Sequence, residues 1–266
     1  MPTAGQQYLL AAIRLLKENS LYASRIDWPV LEASFLLKAQ AAEHPKDVYG
    51  LISQIIRDNE LRHHAFLSPK EWRAYKGETP ESEGVEDKIE MPQGKALPSG
   101  IGYLRVPACG TTDALVLQQY SNELQRIIRA LKQTKKVKGW VVDLRDNTGG
   151  NSSPMVAGLE PLLGEGPLGR ARVAVLVNGE TASSGELVAI GFIGRKNAVL
   201  IGQKTRGLCT SNEAYELSDG AALWISTTVF ADRSGNQYEN GITPDIITSE
   251  ERTLPRAIDW LINMPN

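Results

Sequence analysis

After Gly100 the chain alternates short, wholly apolar segments with longer amphipathic ones, and few folds satisfy that pattern. "GWVVDLR" (139–145), "ARVAVLVN" (171–178) and "AVLIG" (198–202) carry almost no polar residue. Strands of that composition must be covered on both faces, which implies parallel pairing under layers of helix. Between them come "LVLQQYSNELQRIIRALK" (115–132), "SPMVAGLEPLLG" (153–164) and "SGELVAIGFIG" (184–194), which read as the covering helices. "IGYLRVP" (101–107) opens the series as a strand, and "PRAIDWLINM" (255–264) closes it as a helix. "EAYELSDGAALWISTTVFADRSG" (213–235) interrupts it as an expected β-hairpin about a Ser-Asp-Gly turn. Residues 101–266 are thus expected to form an α/β domain.

The N-terminal part has another period. "QQYLLAAIRLLKENS" (6–20), "DWPVLEASFLLKAQAAE" (27–43) and "KDVYGLISQIIRDNE" (46–60) place apolar residues at helical spacing, with Asp27 as N-cap and Pro29 in a first turn. Residues 1–74 are expected to form a helical lobe. The stretch 75–100, rich in Gly, Pro, Ser and acidic residues, reads as a polar linker or exposed loop. The span 70–100 is too short and too polar for a PDZ domain.

Net charge is −2, so nothing points to nucleic acid; the basic run 131–139 reads as a solvated helix end. No segment has the length and apolarity of a membrane span. The first residues lack a signal-peptide pattern, which leaves a cytosolic protein or an exported one whose signal has been removed. Cys109 and Cys209 fit neither a disulfide scaffold nor a zinc site and read as free thiols. No metal or cofactor is implied.

Candidate chemistry lies in four stretches. In "GETASSGELVAI" (179–190) Ser183 and Ser184 stand between an apolar strand and a helix. Local pattern favours a helix cap, with Glu186 placed for a capping box. The same turn also suits a nucleophile, because it exposes a hydroxyl beside helix N–H groups able to hold an oxyanion. In "VVDLRDNTGGNSS" (141–153) Gly149 and Gly150 allow close backbone approach to a ligand, while Asp143 and Arg145 suit a structural ion pair. "LRHHAFLSP" (61–69) holds His63 and His64, two of the three histidines in the chain. "QYENGITPDI" (237–246) brings Glu239 and Asp245 in what reads as a turn.

As a set, "DLRDNTGG", "TASSGE", "LIGQKTRG", "SDGAALWISTT" and "ENGITPDI" resemble, in order and spacing, the C-terminal processing (tail-specific) serine proteases, in the branch that includes tricorn and nisin-resistance proteins. The resemblance covers residues 101–250 and reaches more weakly through "HHAFLSP". It implies a crotonase-like core and a serine peptidase acting on peptides or proteins. Carried over by position, Ser183 aligns with the nucleophile and His64 with the general base. Glu239 aligns with a supporting acid, and Ser184 with Gly149 or Gly150 aligns with the oxyanion donors. Where the larger branch has its catalytic lysine, this chain has Leu208, which takes no proton. Lys204 is not at that position, so a Ser-His mechanism is expected. Ala65 follows the histidine where Ser is common, and the usual Gly-Asp before it is missing. These departures keep a second reading open, a non-catalytic module binding an apolar ligand. An acyl-CoA enzyme fits the core but not the serine, histidine and glutamate together.

Overall fold

The structure, a computed structural model, describes residues 1–78, 89–134, 137–164 and 166–263. In chain order the elements are α1 (Ala4–Asn19), α2 (Trp28–Lys38), α3 (Tyr49–Asp58), β1 (Ala65–Leu67), α4 (Pro69–Tyr75), β2 (Gln93–Leu97), β3 (Ile101–Arg105), α5 (Ala114–Thr134) and β4 (Gly139–Asp143). They continue with α6 (Ser152–Leu163), β5 (Arg172–Val177), α7 (Ser184–Ile190), β6 (Ala198–Gly202), β7 (Thr210–Glu216), β8 (Ala222–Val229), β9 (Ile246–Ile247) and α8 (Glu250–Asn263). The chain forms two compact units: Met1–Val85 with Thr210–Val229, and Glu86–Cys209 with Phe230–Asn266.

The first unit is the helical one. Thr3 caps α1 through a capping box with Gln6, and the Asp27 carboxylate accepts from Val30 N–H to cap α2. The buried stripes of α1 and α3 (Leu9, Ile13, Leu16, Ile52, Ile55) share one core with Leu217, Leu223 and Ile225 of the 210–229 hairpin. The sequence places that hairpin with the α/β domain; the structure places it here, as the antiparallel sheet β1-β8-β7. The reason is burial. The apolar residues of β8 and its turn have their partners on α1 and α3, far away in sequence and invisible to local pattern.

The second unit holds the six-stranded sheet β2-β3-β4-β5-β6-β9, parallel from β3 to β9. All residues of β4 and all but Arg172 of β5 are buried, as wholly apolar strands require. α5, α6 and α7 cover one face and α8 the other, giving the two cores on either side of the sheet. Part of the expected linker is ordered: residues 93–97 form β2, antiparallel to β3. An edge strand exposes most of its side chains, so "QGKAL" shows no apolar run. The remainder of that stretch, 79–88, lies outside the described residues, as do 135–136 of the basic run. Among the described residues no helix is long and apolar enough to cross a membrane.

Candidate active site

Parallel strands end together, so the loops that follow them share one edge of the sheet, where α/β folds place their chemistry. Here β4 runs into Asp143–Gly150 and β5 runs into Asn178–Ser183. Side chains knit the two loops. Asn178 Oδ1 accepts from Asp146 N–H (3.1 Å), and Thr181 Oγ1 donates to Leu144 O (2.9 Å). Asn147, fully buried, ties the loop to Val106 O through Nδ2 (2.8 Å) and receives Ala182 N–H on its own carbonyl (2.9 Å). Asn147 also explains Gly185: a Cβ there would meet Asn147 O at 2.6 Å. The sequence reading passed over Asn147, because a buried amide in a Gly-rich loop has no local signature.

Ser183 sits at the start of α7 with φ 52° and ψ −119°. A positive φ on a non-glycine residue holds roughly 1–3 kcal/mol of strain. Ser183 and Glu186 stand in a capping-box arrangement, and the serine side chain is only partly buried. Its backbone N–H donates to Glu186 at 2.9 Å. Glu186 is fully buried, and its carboxylate also accepts from Leu208 N–H (2.8 Å), Gly207 N–H (2.9 Å) and the Thr205 hydroxyl. One carboxylate thus clamps the strained turn to the 205–208 loop. Leu208 lends a backbone N–H to that clamp, and Lys204 is exposed.

The glycines lie against this turn. A Cβ on Gly149 (φ 108°) would stand 2.7 Å from Ser183 Cβ, and one on Gly150 (φ 97°) would stand 2.4 Å from Cys109 O. Gly149 N–H is committed to Asn147 Oδ1 at 2.9 Å, so its contribution is close approach rather than donation. The bridge joining this loop to Cys109 uses Cys109 N–H on Gly149 O and Asn151 N–H on Cys109 O. Gly150 N–H takes no part in it. Ser184 is the first residue of α7, where an N–H has no acceptor within the helix, and its hydroxyl donates to Gly150 O. Ser183, Ser184, Gly149 and Gly150 are therefore brought together.

Glu239 is half-buried in the loop before β9. That loop is stitched to the clamp, since Thr205 and Ile242 exchange hydrogen bonds (Thr205 N–H to Ile242 O, 3.1 Å; Ile242 N–H to Thr205 Oγ1, 2.8 Å). Asp245 accepts from Leu200 N–H (2.8 Å) and is structural. So is Asp143, fully buried and bound through both oxygens by Arg145 (2.9 and 2.6 Å) and by the Tyr103 hydroxyl (2.7 Å). Burial beside Asp143 pushes the Tyr103 phenol up to about 12. Cys109 and Cys209 are free and buried, and burial raises both thiols, for Cys209 with the help of Glu186, so neither is an activated nucleophile.

His63 and His64 belong to the helical unit, on the turn between α3 and β1. His64 is 8% exposed, with Nδ1 3.1 Å from Arg62 O and Nε2 2.9 Å from Ser20 Oγ. Burial lowers its pKa. His63, half-buried with φ 65°, has Nδ1 2.7 Å from Thr210 Oγ1.

A sequence profile described as Peptidase family S41 matches residues 100–170 and 164–248, more than half of the chain and both loops of the site. The chain belongs to peptidase family S41. It is a serine-type peptidase. It is 26% identical to the nisin-resistance protein of Lactococcus lactis subsp. lactis, over 98% of this chain and 88% of that protein. It is 28% identical to a carboxy-terminal-processing protease of Bartonella bacilliformis over 64% of this chain, and spans less than half (44%) of that relative. Two solved structures share the fold of this S41 chain. One is a lipoprotein from Streptococcus agalactiae (TM-score 0.81, 24% identity, 98% and 97% of the two chains). The other is a photosystem II D1 C-terminal processing protease (TM-score 0.70, 16% identity, 93% and 94%).

Proposed function

We propose that this S41 peptidase cleaves peptide bonds near the C-terminal tails of peptides or proteins by a Ser-His mechanism. Ser183 attacks the scissile carbonyl. A histidine of the His63–His64 pair, His64 by alignment with the family pattern, takes its proton and returns it to the leaving amine. The N–H groups of Ser184 and Gly150 hold the oxyanion, each such donor being worth about 3–4 kcal/mol. Glu239 is the supporting acid. A Ser-Lys pair has no lysine at position 208 to use. In this reading the sheet unit is a crotonase-like core, and residues 70–100 hold no PDZ domain.

The observation that carries the proposal is the strained turn of Ser183. A serine that only capped its helix would have no need of a positive φ, since N-cap residues ordinarily take extended backbone. The preference for tails rests on the names of the processing-protease relatives. Digestion of a peptide library by wild type and Ser183→Ala, read by mass spectrometry, tests both parts. Cleavage by wild type alone, clustered near carboxyl termini, supports the proposal. Equal digestion by the two proteins refutes the nucleophile, and scattered internal cuts refute the preference.

A further inference from the structure

We infer that the cleft at the amino-terminal edge of the parallel sheet, lined by Arg170, Arg195, Lys196 and Arg233, binds a ligand through a phosphate group. All four residues lie within the sheet unit.

Three turns bring these cations together. Arg170 stands just before β5, Arg195 and Lys196 stand between α7 and β6, and Arg233 follows β8. The cleft they line measures about 560 Å³. It lies where β5 and β6 begin, whereas the Ser183 turn follows the end of β5. The six residues of β5, roughly 20 Å of strand, separate the two places. Backbone carbonyls hold the guanidinium groups. Arg195 Nη2 donates to Gly169 O, and Arg233 Nη2 donates to Leu163 O (3.0 Å) and Gly191 O (3.3 Å). Asn197 Nδ2 donates to Arg170 O at 3.0 Å, which ties the turns before β5 and β6 to each other. Gly169 lets its turn close tightly, since a Cβ there would run into Gly164 O.

The cluster lacks a counter-charge. Among the described residues none of the four side chains has an ion-pair partner. Asp232 neighbours Arg233 in sequence, but its carboxylate is spent on its own turn. It accepts from Asn236 Nδ2 (3.0 Å), the Tyr238 hydroxyl (2.8 Å) and the N–H groups of Asn236 (3.0 Å) and Ser234 (2.8 Å). Arg195 Nη1 is buried and has no hydrogen-bond partner among the described residues. Burial and the charge of Arg233 push the Arg195 guanidinium below the usual arginine value, whereas Arg145 is raised by its bonds to Asp143. Like charges gathered without an acid repel one another, and an unpaired buried donor adds to that cost. An anion in the cleft relieves both.

The donors select the anion. Guanidinium forks match the oxygens of a phosphate, and Lys196 adds a compact point charge. A phosphate monoester carries about 1.5 to 2 negative charges near neutral pH, where a carboxylate carries one and would leave most of the cluster unbalanced. A soluble phosphate compound and a lipid headgroup present the same chemistry to these four side chains.

The test is isothermal titration of the full-length chain with pyrophosphate, in phosphate-free buffer at about 0.1 M NaCl. One pyrophosphate should bind per chain, and sodium acetate at the same concentration should not. Arg195→Lys keeps the charge but loses the fork, and should weaken binding by about tenfold or more. Arg170→Gln with Lys196→Gln changes two exposed side chains, so it should fold as wild type and weaken binding by about fivefold or more. Arg252→Gln with Arg256→Gln, two exposed cations on α8, should stay within about twofold of wild type. Sedimentation with phosphatidylcholine vesicles, with and without phosphatidic acid, distinguishes the sources. Co-sedimentation that needs phosphatidic acid and is lost in the Arg170/Lys196 variant assigns the site to a headgroup; pyrophosphate binding without co-sedimentation assigns it to a soluble phosphate compound. The inference is overturned if neither probe binds, if acetate binds as tightly as pyrophosphate, or if the Arg170/Lys196 variant binds as wild type does. A loss in the Arg252/Arg256 variant equal to that in the Arg170/Lys196 variant also overturns it. If Arg195→Lys does not fold, the Arg170/Lys196 variant decides.

Discussion

Replacing Glu186 with Gln tests how the strained serine turn is held. The carboxylate receives Ser183 N–H and Leu208 N–H on one oxygen, and Gly207 N–H and the Thr205 hydroxyl on the other. An amide is cheaper to bury than a carboxylate, but it offers one acceptor where four donors converge. The least damaging orientation turns the amide NH2 toward Thr205, whose hydroxyl can rotate to accept, and leaves Gly207 N–H facing a donor. One charge-assisted bond is then lost, about 1.5–3 kcal/mol. Two others weaken to neutral bonds, each losing about half its strength, or roughly 1 kcal/mol apiece. The sum is about 3–5 kcal/mol, which lowers a melting temperature by about 10 °C or more in a chain of this size. The turn should also relax, so fluorophosphonate labelling of the folded variant should slow by about tenfold or more. Thermal melts by circular dichroism and labelling kinetics read the two effects separately. A melting temperature within about 2 °C of wild type, with labelling unchanged, would show that Glu186 is a passive cap and refute the reasoning.

Gly149→Ala sets a methyl group against Ser183 Cβ and into a positive φ, so labelling should fall by about tenfold or more; an unimpaired variant would show that the contact yields. Lys204→Ala should label at the wild-type rate, because that side chain is exposed, and a large loss would return a lysine to the mechanism. Stability should depend on pH through His64. Its folded pKa is lowered, so the unfolded chain binds the proton more readily, and stability present above about pH 6.5 is lost as pH falls through the folded value. Melts at pH 7.5 and 5.5 should differ, and His64→Gln should narrow the difference; an unchanged gap would place the titration elsewhere.

Much of the sheet unit was legible from periodicity alone, because buried parallel strands leave wholly apolar runs. β2 was not, since an edge strand exposes its side chains and "QGKAL" resembles linker. The hairpin was recognised but assigned to the wrong unit: Leu223 and Ile225 look like any strand interior, and only the fold shows that α1 and α3 cover them. At the site, local rules favoured a cap at Ser183–Ser184 with Glu186 placed for a capping box, and the structure has Ser183 as the N-cap of α7 with that box. The positive φ of Ser183 is the feature of this turn that no composition encodes. The sequence paired Gly149 with Gly150 as interchangeable donors. The commitment of Gly149 N–H to Asn147 separates them, and that bond depends on an amide buried by tertiary packing. Two adjacent histidines are likewise indistinguishable in sequence, and the fold sets Ser20 against His64 and Thr210 against His63.

The most direct measurement of the central claim is to locate the fluorophosphonate adduct by peptide mapping in wild type, Ser183→Ala and Ser184→Ala. The account predicts an adduct on Ser183 in wild type and none anywhere in Ser183→Ala. It predicts an adduct still on Ser183 in Ser184→Ala, because alanine keeps the backbone N–H that holds the oxyanion. An adduct on Ser184, or a folded wild type that takes no label, would contradict it.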